Sequence, residues 1–178
     1  IYDRLLLATG SVPRRLVAPG DHLAGVHYLR SRADVDRIRE DLRPGARVVV
    51  VGGGYIGLEV AASCRTLGLE VDVLEMSDRV MNRVVAPELS AFFAAEHTAA
   101  GVRLHAGQLV SAFLESPTQT GRIGAVTTLE GSCLPADVVI VGVGVVPDTT
   151  LAAAAGLACE NGVAVDEYAR TSDRYVFA

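Results

Sequence analysis

A run of β-branched residues, Arg47 to Val51, passes without a break into Gly52-Gly53-Gly54-Tyr55-Ile56-Gly57, and then into an apolar helical pattern reaching about Leu67. This stretch leaves the chain little choice of fold. A valine run with no polar alternation suits a parallel strand covered on both faces. Glycines at G-x-G-x-x-G spacing suit a tight strand-to-helix turn: Gly52 permits the turn, Gly54 lets a pyrophosphate approach the backbone, and Gly57 lets helix and strand pack closely. The unpaired amides near Tyr55 and Ile56, together with the helix dipole, form a positive end suited to linked phosphates. Gly68 stands where a left-handed residue usually ends a helix. A second strand follows, Glu70 to Glu75, and Glu75 lies 23 positions after Gly52. That is close to the roughly 20-residue offset at which an acidic residue meets the ribose of a dinucleotide. A carboxylate accepts hydrogen bonds from ribose hydroxyls and repels a 2′-phosphate, so Glu75 favours NAD(H) over NADP(H).

The flanking elements continue the pattern. Leu5 to Leu7 reads as a buried strand, and Gly10, Pro13, Pro19 and Gly20 read as a turn-rich linker. Ser31 with Asp34 forms a capping box for a helix carrying Val35, Ile38 and Leu42, which Pro44-Gly45 ends. Pro87 opens another helix, whose expected apolar face holds Leu89, Phe92, Phe93 and the alanines to Ala100. Val102 to His105 gives a third parallel strand. The stretches near Leu109 to Leu114 and Ile123 to Leu129 read as an antiparallel meander, and Asp137 to Val141 returns to a central parallel strand. Val163 to Val165 and Tyr175 to Phe177 are extended, and both chain ends read as pieces of a sheet whose other strands are absent. Such end strands would favour self-association through their edges.

Composition narrows the function classes. Net charge is −5 and all 16 basic residues are arginines, scattered along the chain. No basic stripe marks a nucleic-acid binder, and without lysine neither a Schiff base nor a phosphate-loop lysine is available. The longest apolar run, Val138 to Val146, is interrupted by glycines and far too short for a membrane span, so the expectation is a cytoplasmic protein with no membrane partner. Cys64, Cys133 and Cys159 show neither C-x-x-C nor metal-ligand spacing and are expected to be small buried hydrophobes. His22, His27, His97 and His105 form no triad, and no G-x-S-x-G is present. Two readings stay open for Glu59: a charge favoured by the helix dipole, or a carboxylate facing a nicotinamide ring. Arg79 and Arg83 lie just beyond Glu75, and either could reach a phosphate or stand as a solvated loop arginine.

Four segments carry a family resemblance: Tyr2 to Gly10, Val48 to Glu59, Met81 to Leu89, and Gly142-Val143-Gly144-Val145-Val146-Pro147-Asp148. Together they resemble FAD-dependent pyridine nucleotide-disulfide oxidoreductases, and within that superfamily the NADH-dependent ferredoxin or rubredoxin reductases. The resemblance implies an α/β fold: a Rossmann-like parallel sheet with helices on both faces, an antiparallel β-meander, and flanking remnants of an FAD domain. The implied division is an FAD-domain remnant at 1–11, an NAD(H)-binding domain at 12–146 and a second remnant at 147–178. It implies cofactor roles for Gly52, Gly54, Tyr55, Ile56, Gly57, Glu59, Glu75, Arg83 and Gly144, with Thr9 and Gly10 matching a flavin-side motif. The implied reaction passes a hydride from NADH to FAD, then single electrons to a ferredoxin or rubredoxin, and the fragment alone would bind NAD(H) without turnover. NADH oxidases and disulfide-type reductases share the domain and remain an alternative, as does a non-enzymatic NAD-binding module.

Overall fold

The computed structural model describes residues 2–178 and holds two compact units, one of residues 15–144 and one of residues 1–14 with 145–178. In chain order the elements begin with β1 (Leu5–Leu6), β2 (Ser11–Pro13), β3 (Val26–Tyr28), α1 (Arg32–Asp41), β4 (Arg47–Val51) and α2 (Tyr55–Thr66). They continue with β5 (Glu70–Glu75), α3 (Pro87–Ala99), β6 (Arg103–Ala106), β7 (Val110–Glu115), β8 (Ile123–Thr128), β9 (Cys133–Pro135) and β10 (Val138–Val141). The last are β11 (Val145–Pro147), α4 (Thr150–Ala154), β12 (Cys159–Glu160), β13 (Gly162–Val163) and β14 (Val176–Phe177).

The larger unit is built on a five-stranded sheet in the order β3-β10-β4-β5-β6, and every pairing in it is parallel. Side chains of a strand alternate between faces, and β4 has no polar residue after Arg47 because both of its faces are covered. Val48 and Val50 join Val71, Val73, Val138 and Ile140 under Ile38 of α1 and Ala61 and Cys64 of α2. Val49 and Val51 pack on the opposite side with Leu74, Val139 and Val141 against Phe113, Ile123, Val126 and Leu134. The α/β class read from the sequence holds, with its parallel sheet and antiparallel meander. One detail differs. Helices α1, α2 and α3 all lie on one face, and the β7-β8-β9 meander, rather than further helices, covers the other.

Local signals explain several boundaries. The capping box at Ser31 is formed, and hydrogen bonds from Ser31 hold the Asp34 carboxyl down at about 2. Gly68 takes a φ of +79° just after α2, as a C-terminal glycine does. Three readings need correction. Leu89 and Phe92 are exposed rather than packed, because α3 meets only the edge of the sheet and turns Ser90, Phe93 and Ala94 inward. The turn-rich stretch from Gly10 to Gly20 also holds a short strand, β2, and a second unforeseen strand, β3, follows it; their partners β11 and β10 lie more than a hundred residues further on. Of the cysteines only Cys64 is buried; Cys133 is exposed on β9, where Leu134 takes the inward position, and Cys159 is half-buried.

Burial pushes the Cys64 thiol up to about 11. Labelling of the folded chain near pH 8 with a thiol-reactive dye is therefore expected to modify Cys133 quickly and leave Cys64 untouched until denaturant is added. Peptide mapping checks this, and early label on Cys64 would contradict the packing of α2 on the sheet.

The smaller unit brings both ends of the chain together. β1 pairs in parallel with β14, and β2 pairs antiparallel with β11. Leu7, Ala152 and Val176 form its small core. The two end strands thus supply each other with a hydrogen-bonding neighbour, with Leu5 opposite Val176 and Leu6 opposite Phe177. No helix among the described residues is long and apolar enough to cross a membrane.

Candidate functional site

The order β3-β10-β4-β5-β6 reverses direction between β4 and β10, since the chain winds from β4 outward to β6 and only later returns to β10 and β3's side. In open α/β sheets ligands bind at the carboxyl ends of the strands at such a switch. The Gly-rich turn stands there: the Gly52 N–H donates to Leu74 O at 2.7 Å, and the Gly142 N–H donates to Val51 O at 2.7 Å.

The four glycines of this turn are required for different reasons. Gly52 has a φ of +109°, and a Cβ on it would lie 2.5 Å from Gly142 O. A Cβ on Gly57 would fall 1.9 Å from Gly52 O, so only glycine lets α2 begin this close to the turn. A Cβ on Gly53 would crowd Val80 and Glu75. Gly54 is the exception. Its φ is an ordinary −82° and a Cβ on it would meet nothing within 4 Å. Neither its backbone nor its surroundings require a glycine there, and the space beside it is open.

Gly54 is also the N-cap of α2, and no side chain caps this helix. Its first turn carries no acidic residue, so the partial positive charge of the unpaired amides is left to whatever approaches. By contrast α1 satisfies its own start with the Ser31 and Asp34 side chains. Tyr55 and Ile56 are exposed beside the turn. Glu59 is exposed one turn further along α2 and makes no hydrogen bond or ion pair among the described residues.

Glu75, at the carboxyl end of β5, reaches back to the turn. Its Oε2 accepts from Gly53 N at 2.7 Å and its Oε1 accepts from Ser77 N at 2.7 Å. A carboxylate has about four acceptor positions, so each oxygen keeps one for a further donor such as a sugar hydroxyl. The two arginines after Glu75 separate cleanly. Arg79 is committed to the loop, donating to Val85 O and Asn82 O at 3.1 Å each. The Arg83 side chain is exposed and makes no hydrogen bond or ion pair among the described residues. Gly144 adopts a φ of +104°, which a side chain would oppose.

Sequence reasoning did not single out Gly53 and Met81 as a pair. The Gly53 carbonyl accepts from Met81 N at 2.8 Å, while its N–H serves Glu75, so one glycine ties the turn both to β5 and to the following loop. Met81 has a φ of +53°, and methionine carries no turn signal from which this could be read. In the smaller unit, Thr9 donates its hydroxyl to Asp148 O, and the Gly10 carbonyl accepts from Asp148 N at 2.9 Å. Thr9 and Gly10 thus join the two stretches of chain, 1–14 and 145–178, that make up that unit.

Comparison with known proteins gives these features a family. The pyridine nucleotide-disulphide oxidoreductase family model matches residues 1–178. The chain belongs to this family. It is 44% identical over 180 residues to putidaredoxin reductase of Pseudomonas putida, covering 99% of this chain and 42% of that protein. It is likewise 44% identical over 177 residues to the ferredoxin–NAD(+) reductase component of the biphenyl dioxygenase system of Paraburkholderia xenovorans, again covering 99% and 42%. The crystal structure of the ferredoxin reductase for the CYP199A2 system of Rhodopseudomonas palustris superposes with a TM-score of 0.93 at 43% identity, over 99% of this chain and 43% of that one. The chain therefore spans about two fifths of the length of these relatives.

Proposed function

We propose that residues 15–144 form the NAD(H)-binding domain of a flavoprotein reductase, and that residues 1–14 and 145–178 are segments of its FAD domain. The observation that carries the reading is the pairing of an open Gly54 at an uncapped helix start with a carboxylate held at the edge of the same turn. The amides at the start of α2 bind the pyrophosphate, and the spare acceptor positions of Glu75 take the hydroxyls of the adenosine ribose. Arg83 neutralises phosphate charge. Tyr55 and Ile56 offer apolar cover that keeps water from the reacting end of the nucleotide, and Glu59, one turn along α2, stands toward the nicotinamide half. Gly144 ends the nucleotide domain, and Thr9 and Gly10 serve the flavin side.

FAD would supply the redox chemistry, hydride acceptance from NADH and one-electron release to a ferredoxin- or rubredoxin-type acceptor, with Thr9 and Gly10 the residues of this chain on its side. The contribution of this chain is to hold and orient the nucleotide. The relatives named above support this partner class, since they are reductases of putidaredoxin and of a dioxygenase ferredoxin.

Calorimetric titration of the chain with NADH and NADPH tests the reading. NADH is expected to bind more tightly, because a 2′-phosphate would face the Glu75 carboxylate. Glu75→Gln is expected to weaken NADH by roughly tenfold to a hundredfold, as charge-assisted hydrogen bonds contribute about 1.5–3 kcal/mol each. NADPH should lose less, so discrimination narrows. Tighter binding of NADPH than NADH by the unaltered chain would refute the role given to Glu75.

A further inference from the structure

The loop between β5 and α3 is anchored along its length. Ser77 N donates to Glu75, and Met81 N donates to Gly53 O. The Met81 carbonyl in turn accepts from Val84 N at 3.0 Å and Val85 N at 3.2 Å. The Arg79 guanidinium bridges Asn82 O and Val85 O, and the buried Ser90 hydroxyl donates to Val80 O at 2.6 Å. The Met81 side chain is 3% exposed and packs with Leu58 of α2 and with Val80. Around Arg83 the backbone is thus fixed from both sides, while the Arg83 side chain itself has no partner among the described residues.

A methionine at a φ of +53° is out of character, because outside glycine such a twist persists only where the surroundings over-determine it. Strain of this kind collects at ligand clamps. We propose that Met81 is a positioning residue: its left-handed twist, locked onto Gly53, sets the loop so that Arg83 meets a phosphate of the bound dinucleotide. This rests on the nucleotide-binding reading given above. Arg79 serves the same end by closing the turn from Asn82 to Val85. The arrangement also couples the two halves of the site. The Gly53 peptide units contact Glu75 on one side and Met81 on the other, so the ribose carboxylate and the phosphate-binding arginine share one rigid mount.

The test compares Met81→Gly with Met81→Val by NADH calorimetry on the full chain, alone and combined with Arg83→Gln. Glycine adopts the twist freely but loses the buried side chain, whereas valine keeps apolar bulk and opposes the twist. Positioning therefore predicts that Met81→Val weakens NADH by about tenfold and Met81→Gly by less, with the loss from valine largely vanishing in the Arg83→Gln background. A pure packing role predicts the opposite order, with glycine the worse of the two. Equal losses, or a full tenfold loss from valine without the Arg83 guanidinium, would overturn the proposal. Should Met81→Val fail to fold, Arg79→Lys supplies the same cycle, since lysine cannot bridge two carbonyls. It is expected to weaken NADH several-fold in a manner coupled to Arg83, and additivity with Arg83→Gln would count against the proposal. If the unaltered chain binds no NADH, the nucleotide reading itself has failed; binding without coupling removes the positioning role alone.

Discussion

Gly54→Ala is expected to leave the chain folded while reducing NADH affinity at least tenfold, and Gly57→Ala to unfold or severely destabilise it. The two positions lie three residues apart in one motif, yet they answer to different constraints. At Gly54 the backbone is ordinary and the space beside it empty, so the added methyl strains nothing. The cost falls wholly on a ligand that must come within contact distance of the backbone there. At Gly57 the methyl would lie 1.9 Å from Gly52 O, a backbone atom that moves only if the turn is rebuilt. Alanine is the better helix former by about 1 kcal/mol, but overpacking against a fixed backbone typically costs about 1–3 kcal/mol or more, so the clash wins. Thermal unfolding followed by circular dichroism, with calorimetry on whatever remains folded, separates the two. Should Gly54→Ala bind NADH like the unaltered chain, the empty space beside it has some other use. Should Gly57→Ala unfold at the temperature of the unaltered chain, α2 does not press on the turn as closely as described.

How far the fold was legible follows from which forces set each part. β4, α2 and β5 could be read because each carries a local signal: an unbroken valine run, a glycine turn, a terminal Gly68, a boundary carboxylate. The capping box of Ser31 and Asp34 and the Pro87 start of α3 are local in the same sense. What escaped was decided at long range. β3 is three residues long and exists because Val26, His27 and Tyr28 find β10, more than a hundred residues away. The exposed side of α3 depends on how little of the sheet lies beneath it, which no periodicity reveals. At the candidate site the glycines and Glu75 were visible by spacing and Arg83 through the family resemblance, whereas the commitment of Arg79 to the loop is visible only in its hydrogen bonds. The left-handed turn at Met81 had no sequence signature at all, because its cause is the Gly53 carbonyl and the packing against Leu58.

The same limit applies to the charges that brace the sheet. Asp72 on β5 is 7% exposed, in a strand otherwise apolar from Val71 to Leu74. The parallel register places Arg103 opposite it, and Arg103 donates to both carboxylate oxygens at 2.9 and 2.7 Å, while His105 Nε2 lies 2.7 Å from Oδ1. Burial pushes the Asp72 carboxyl up, but the hydrogen bonds from Arg103 and His105 outweigh it and hold the group below its ordinary 3.8. A carboxyl whose folded pKa is depressed contributes stability that is fully present above the unfolded value and lost as pH falls through the folded one. Asp41, held by Arg122 and His27, and Asp137, held by Arg47, are shifted the same way from 3.8. Stability is therefore expected to fall steeply below about pH 4, as Asp34, Asp41, Asp72 and Asp137 take up protons, after a smaller loss that begins near pH 6.5 because burial holds the His97 imidazole below its ordinary value. Asp72→Ala should cost about 2–4 kcal/mol at pH 7, somewhat less than a fully buried pair would, because half of Arg103 faces water. It should also make the acid limb shallower, since one of the groups that titrate there is gone. Urea unfolding at pH 7 and pH 3 measures both effects together. A variant that loses stability at pH 7 yet keeps the full acid limb would mean that Asp34, Asp41 and Asp137, not Asp72, carry the pH dependence.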